Sequence, residues 1–525
     1  MKSIKHKLFI VCGLFSSSLY LSSCNDFLEV KPLDSRTIEY FYSKPVEAQQ
    51  ALIGIYNGLL PLSKYYLLMS DVRSDDTWVG VSSESESDYR ALSNFRKYIT
   101  IVGTIEAAWD DYYQIVARAN KFLEKVEKLE FTPVDTTVNV KATFMAEARF
   151  LRAFAYFDLV RFYGRVPLVT KTQTVSEAFR TPQSEPKDVY NNVIIPDLEY
   201  AIANMKDIAY NYKGEKEAAG RATLTAAKAL LGRVYWTMAG FPLKDESKIE
   251  PAKAILREVI EYAGALNDFP TKYWAKDAKE WSKIWISDND NKYHIFEIQY
   301  TNASGYGNQM IYSSLPKVKS LSHISMSGNS INSTKSLRDL YNENKNDSIR
   351  YRHTIRYSTS SSSSRYFEKF FENDLKRDSL GFNKIDATIA DRNSFPINYP
   401  LIRLEDVMLM YAQLIGNTQE GRELVNKIRN RAGISSLPTS LTEESYQKYV
   451  LDERRRELAG EGIRWHDIVR TGHFKSYIEA AYSNESSSSA QSVIQNITEG
   501  MYLYPIPEEQ MLVRIGLYQQ NEAYK

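Results

Sequence analysis

The chain has 525 residues, with 66 Lys and Arg against 65 Asp and Glu, two cysteines, and 37 Tyr that outnumber 22 Phe. That length exceeds the roughly 250–300 residues at which a single core stops growing, and a charge balance this close to zero lacks the cationic footprint of a general nucleic-acid binder. Both cysteines, Cys12 and Cys24, lie near the N-terminus, so the rest of the chain can form no internal disulfide and no Cys-based zinc or iron–sulfur site.

Lys2, Lys5 and Lys7 precede an apolar run from Leu8 to Phe15, followed by Ser16 to Ser18 and then Leu21-Ser22-Ser23-Cys24. The run falls short of the roughly 20 residues a bilayer requires, so residues 1–23 read as a secretory signal. Leu-Ser-Ser-Cys resembles a bacterial lipobox, which implies cleavage before Cys24 and a diacylglycerol on its sulfur; the alternative is an ordinary signal with a chance cysteine. Acyl chains contribute about 0.8 kcal/mol per buried methylene, so two or three of them hold a globular body to a membrane without any helix. Removing residues 1–23 takes three lysines and no acid, leaving 63 basic and 65 acidic residues.

Beyond residue 100, helical periodicity dominates the pattern. Over 105–128, Ile105, Ala108, Trp109, Tyr112, Ile115, Val116, Ala119, Phe122, Leu123 and Val126 recur at spacings of three and four and form one apolar stripe. A second helix is expected over 141–163, with Gly164 and Pro167 after it in the usual order of a helix C-terminus. Others are expected over 186–205, 223–238 and 251–263. Small residues such as Ala146, Ala153, Ala226 and Ala229 alternate with aromatics, which lets neighbouring helices approach and interlock. The expected fold class is therefore mainly α: a tetratricopeptide-like helical-repeat scaffold, although no strict 34-residue repeat is readable. From about 262 to 392 the texture turns loop-rich, with Trp274, Trp281 and Trp285, serine-rich stretches and one strand-like alternation over 294–300. These read as irregular insertions on the helices. Helical pattern returns over 403–414, 419–432 and 443–458, and residues 483–491 read as a polar loop.

Several stretches taken together resemble the SusD/RagB family of surface nutrient-binding lipoproteins. They begin with Cys24-Asn-Asp-Phe-Leu-Glu-Val-Lys-Pro32 and Ala146-Glu-Ala-Arg-Phe-Leu-Arg-Ala-Phe-Ala-Tyr-Phe-Asp-Leu-Val-Arg-Phe-Tyr-Gly-Arg-Val-Pro-Leu168. Gly220-Arg-Ala-Thr223 runs into Ala226-Ala-Lys-Ala-Leu-Leu-Gly-Arg-Val-Tyr235, and Pro400-Leu-Ile-Arg-Leu-Glu-Asp-Val-Met-Leu-Met-Tyr-Ala412 comes next. Val425-Asn-Lys-Ile-Arg-Asn-Arg-Ala-Gly433, Glu453-Arg-Arg-Arg-Glu-Leu458 with Glu461-Gly-Ile-Arg-Trp-His-Asp467, and Tyr504-Pro-Ile-Pro507 complete the series. The resemblance implies a signal at 1–23, an N-terminal helical region over 24–261, and a C-terminal region over 262–525 that carries the ligand-facing insertion. It also implies a non-catalytic outer-membrane lipoprotein, facing the cell surface, that delivers oligosaccharide to a SusC-like TonB-dependent transporter. Some relatives handle peptides instead.

The residues themselves agree on the absence of catalysis. There is no Gly-x-Ser-x-Gly elbow, phosphate loop or His-Glu-x-x-His, and no cofactor or metal is expected. Asp288-Asn289-Asp290 opens like a calcium loop, but Tyr293 and Gln299 stand where the glycine and closing glutamate belong. His466 and Asp467 are neighbours about 100° apart on a helix, too far round for Asp467 to orient the imidazole. Arg454, Arg455 and Arg456, flanked by acids, read as salt-bridge formers, as do Arg149, Arg152 and Arg161. A glycan-degrading enzyme stays a lesser alternative, since no pair of carboxylates can be singled out. For sugar binding, a pyranose stacks its C–H face on a ring while its hydroxyls bond nearby polar groups. Trp78 lies in Asp71-Val-Arg-Ser-Asp-Asp-Thr-Trp-Val-Gly80, where acids and a ring meet in a loop-like setting, so Asp71, Asp75 and Trp78 are ligand candidates. Trp274, Trp281, Trp285, Tyr306 and Tyr312 join them from the insertion, while Trp109 and Trp236, inside helical stripes, read as core.

Overall fold

The computed structural model describes residues 41–79, 88–135, 137–217, 220–281, 284–285, 292–314, 331–343, 347–357, 365–367, 369–370, 394–485 and 488–525. The signal, Cys24, the 288–290 turn and the serine-rich stretch 358–364 lie outside them. The architecture is mainly helical. Helix α1 (Pro45–Tyr56) starts with Pro45 in its first turn, and its Glu47 carboxylate reaches back to the Ser43 and Lys44 backbone N–H groups at 2.8 and 3.2 Å. It precedes α2 (Gly103–Val126) and α3 (Val140–Tyr163). Asn139 caps α3 by accepting from the Ala142 N–H at 3.0 Å, and Gly164, at φ 73°, ends it. Helix α3 is buried almost all round, because α1, α2 and α4 (Ile195–Asn204) all pack on it. Its alanines at 146, 148, 153 and 155 leave room for that approach.

Helices α5 (Leu224–Met238), α6 (Ile249–Tyr262), α7 (Leu404–Ile415), α8 (Gln419–Arg431), α9 (Glu443–Leu458) and α10 (Arg464–Arg470) complete the series. Successive neighbours pack: α2 on α3, α3 on α4, α4 on α5, α5 on α6, then α6 on α7 and α7 on α8. Each helix buries its stripe against the next, which is the logic of a helical repeat. Two expectations are corrected. The segment expected as one helix over 186–205 is broken into Pro186–Val189, a wider π turn at Tyr190–Ile194, and α4. The polar loop expected over 483–491 gives way to a helix, Ser488–Asn496, whose Ala490 and Val493 point inward with Ile497 beyond its end.

Among the described residues the strands form four antiparallel two-stranded ribbons. Two matter for the site. Strand β1 (Thr77–Val79) pairs with β3 (Ile331–Ser333), with Trp78 opposite Asn332. Strand β2 (His294–Ile298) pairs with β4 (Tyr399–Arg403), and every residue of both is buried. One contiguous hydrophobic core runs from Ala48 to Tyr524.

Candidate functional site

The chain enters the candidate site through a short helix, Leu62–Tyr66, a π turn, Leu67–Asp71, and a tight turn that leads into β1. The sequence suggests an exposed polar loop here; the structure corrects this to a buried arch in which Asp71, Arg73, Ser74, Asp75, Asp76 and Thr77 are at most 1% exposed. Charged groups are buried only when paired, and the partners come from the other end of the chain. Arg464 grips Asp75 with two hydrogen bonds of 2.8 Å, Arg455 approaches it at 3.2 Å, and the Arg455 Nε donates to Asp76 at 2.6 Å. Burial alone would raise the Asp75 carboxyl, but Arg455 and Arg464 outweigh it and hold it down at about 2. Among the described residues the Asp71 carboxylate accepts only from the Gly462 N–H, at 3.0 Å, and burial pushes its carboxyl well above the usual range. Thr334 ties β3 to the same arch, donating its N–H to the Asp76 carbonyl at 2.8 Å and its hydroxyl to that of Asp75 at 2.7 Å.

On this frame Trp78 stands half-buried, packed against the hydrophobic core with β3 alongside. Of the sequence-derived candidates, Asp71 and Asp75 therefore brace the strand carrying Trp78 and turn no carboxylate outward. Trp281 and Trp285 are also corrected from the loop surface to the core, at 1% and 0% exposure, with ring centroids 5.7 Å apart in a T-shaped pair. The Trp281 indole N–H donates to Glu457 at 2.9 Å, and the Lys369 ammonium and Arg403 guanidinium lie over Trp285 at 4.8 and 5.4 Å. Trp274 is half-buried under the Arg431 guanidinium, 4.1 Å from its ring. Tyr306 is the exposed one, at 52%, on a loop whose neighbour Tyr300 donates its hydroxyl to the Leu60 carbonyl at 2.7 Å. Tyr312 lies on the helix Gln309–Ser314, and its side chain is outside the described residues.

Sequence reasoning missed the charge network that holds these rings. Glu457 accepts from Arg403 at 3.1 Å, Arg431 at 2.8 Å and Arg350 at 3.0 Å, so that its carboxyl, which burial would raise, is driven well below its usual range. Arg403 also reaches Glu461 at 2.8 Å, and Lys369 reaches the same carboxylate at 2.5 Å. The Arg454–Arg456 run is legible in the sequence as a salt-bridge former, and it is one. Arg454 binds Asp467 at 2.8 Å and Asp406 at 2.7 Å, which leaves Asp467 turned to the arginine and away from His466. Arg152 likewise binds Asp197 at 2.7 Å. Carboxylates engaged in this way hold position and are poor candidates for moving protons. Among the described residues, no group of three or more His, Cys, Asp or Glu side chains is arranged to hold a metal ion, and no helix is long and apolar enough to cross a membrane.

Comparison with known proteins agrees with this architecture. Residues 381–524 match the model of the SusD family, and residues 26–236 match a second model described as starch-binding associating with outer membrane. A SusD-like protein of Bacteroides ovatus is 26% identical over 490 residues, which cover 89% of this chain and 82% of the relative. A crystal structure of a SusD homologue from Bacteroides thetaiotaomicron superimposes with a TM-score of 0.74 at 25% identity, covering 93% of this chain and 99% of that one. A laminarin-binding SusD-like protein superimposes with a TM-score of 0.69, also at 25% identity, over 91% of this chain and 99% of its own. The two family models lie at opposite ends of a chain whose fold matches these structures throughout, and the chain is accordingly a member of the SusD-like family.

Proposed function

We propose that this protein is a non-catalytic, carbohydrate-binding lipoprotein of the outer-membrane surface, anchored through Cys24, that captures an oligosaccharide and passes it to a SusC-like TonB-dependent transporter. The observation that carries the reading is Trp78: a half-buried indole on a short strand, directly after Asp75 and Asp76, which are buried and paired with Arg464 and Arg455. A ring fixed in this way meets a pyranose face without losing freedom on binding, which favours affinity. Tyr306, exposed on the loop anchored next to Leu60, supplies a second ring. The family membership and the laminarin-binding relative support a glycan as the ligand class.

The test is isothermal titration of the soluble protein, lacking residues 1–24, against a panel of oligosaccharides and peptides. Wild type is expected to bind at least one oligosaccharide. Trp78→Ala is expected to weaken that binding by about 2 kcal/mol, some thirtyfold, as a central aromatic contact does, with Tm unchanged. Affinity for peptides alone, or a glycan affinity equal in wild type and variant, would overturn the assignment.

A further inference from the structure

A buried side-chain nitrogen with no partner costs stability, and native structures leave few of them. Three belong to residues that line one pocket: the Nε of Arg161, the Nε of Arg470 and the Nε2 of His466 are each buried and without a hydrogen-bond partner. The pocket, of about 80 Å³, lies where the ends of α3 and α5 meet α10. Val160, Tyr190, Phe241, Leu243 and Leu503 supply its apolar wall. That wall is held in place by the backbone. The Phe241 N–H donates to the Arg470 carbonyl at 2.9 Å, and the Tyr504 N–H, next to Leu503, donates to the Phe162 carbonyl at 2.7 Å. A Cβ at Gly240 would fall 2.9 Å from the Arg470 carbonyl oxygen, so glycine is what lets this segment lie against α10.

Among the described residues, no Asp or Glu lines the pocket, and its charges come from Arg161 and Arg470. The Arg161 side chain, nine-tenths buried, spends one terminal nitrogen on Asp158, a carboxylate that also accepts from the hydroxyls of Tyr66 and Tyr112. Arg470 is in no ion pair among the described residues. Asp467, one turn back on α10, is taken by Arg454, while Arg470 donates to the Gln413 side-chain oxygen at 3.1 Å and lies 3.8 Å from the Trp236 ring. Burial, with Arg161 and Arg233 beside it, holds the His466 imidazole well below its ordinary value, so it adds a polar nitrogen and no charge. Two guanidiniums, a neutral imidazole and an apolar wall suit one carboxylate on a short hydrocarbon stem. Its oxygens take charge-assisted bonds from the N–H groups, and the stem covers the wall. A single water needs roughly 10–15 Å³ of such space, so the pocket holds about five to eight heavy atoms. A pyranose with its hydroxyls is larger, and finds no carboxylate here to accept from them.

We infer that this pocket is a ligand site separate from Trp78, and that it takes a short-chain aliphatic monocarboxylate such as butyrate, its carboxylate received by Arg161, Arg470 and His466. The inference stands on the pocket alone, whatever Trp78 binds. The soluble protein lacking residues 1–24 is titrated by NMR with isotope-labelled butyrate, butyramide and butanol, as wild type, as Arg470→Gln and as Leu243→Trp. Tm and oligosaccharide affinity are measured in parallel. Leu243→Trp fills the pocket from its half-buried wall and leaves the buried charges in place, so it carries the test should Arg470→Gln fail to fold. Wild type is expected to bind butyrate saturably, and butyramide and butanol at least tenfold more weakly. Either variant is expected to lose at least tenfold in butyrate affinity with oligosaccharide affinity unchanged. No saturable binding of butyrate to wild type, equal affinity for butyrate and butyramide, or undiminished butyrate affinity in a folded variant would overturn the site. Loss of oligosaccharide affinity in a folded variant would overturn its separateness from the glycan site.

Discussion

Asp75 carries an ionised carboxylate in a place where burial opposes one, and the two guanidiniums of Arg455 and Arg464 decide the outcome. A depressed carboxyl stabilises the fold above its unfolded value, near 4, and that contribution is lost as pH falls through the folded value of about 2. Asp71 and Asp76, which burial raises, act in the opposite sense, so only the comparison of wild type with Asp75→Asn isolates this residue. The substitution leaves buried guanidinium charge uncompensated, and is expected to cost about 3–5 kcal/mol in urea unfolding at pH 6. That gap is expected to narrow by most of about 2 kcal/mol between pH 6 and pH 2.5; a gap of constant size would assign the effect to shape and not to charge. Sequence shows the acids and the ring of this stretch but not their burial. The partner of Asp75 lies 389 residues later, beyond the reach of any local pattern. Trp281 and Trp285 escape a sequence reading for the same reason, since a tryptophan in a polar stretch looks alike whether it faces solvent or a buried lysine.

At the scale of elements, legibility tracks length. Helices α2, α3, α5, α8 and α9 carry two or more turns of apolar periodicity, and their observed bounds fall within about two residues of those read from spacing. Helix Ser488–Asn496 offers few apolar positions in a run of serines, and the π turn at Tyr190–Ile194 inserts no residue type that would announce it. The contact of α5 with α6 shows what fixes the repeat geometry. A Cβ added at Gly232, inside α5, would fall 2.6 Å from the Leu256 Cγ and 3.1 Å from the Ile255 side chain, both on α6. Alanine in a helix interior ordinarily gains roughly 1 kcal/mol over glycine. Here overpacking costs about 1–3 kcal/mol, and more where the neighbour cannot retreat. Gly232→Ala is therefore expected to be destabilising, seen as a lower urea midpoint with an unchanged slope. A rise in midpoint would mean that α6 moves aside freely.

For the molecule as a whole, the boundary proposed from sequence between residues 261 and 262 is crossed by several buried contacts. Arg233 pairs with Asp406, the Gly462 N–H donates to Asp71, and α6 packs on α7. The C-terminus closes the circuit. The Asn521 amide donates to the carbonyls of Tyr163 at 2.9 Å and Tyr504 at 2.6 Å, and the Tyr524 hydroxyl accepts from Arg73 at 2.8 Å. Arg73 itself is fully buried between Phe95 and Tyr504, 4.1 and 4.7 Å from their rings. Deleting residues 521–525 takes a hydrogen-bond partner from a buried cation, from the Tyr163 carbonyl that ends α3 and from the Tyr504 carbonyl, and each unsatisfied group costs about 1–3 kcal/mol. With the main core running from Ala48 to Tyr524 and only a small satellite cluster around Leu337 and Tyr341 beside it, that loss has no separate unit in which to be contained. Helical circular dichroism and tryptophan fluorescence are therefore expected to report one coincident urea transition in the wild-type protein, and a transition moved to lower urea in both probes after truncation. A shift in one probe alone, or two resolved transitions before truncation, would divide the chain into independently stable halves and restore the proposed boundary as a physical one.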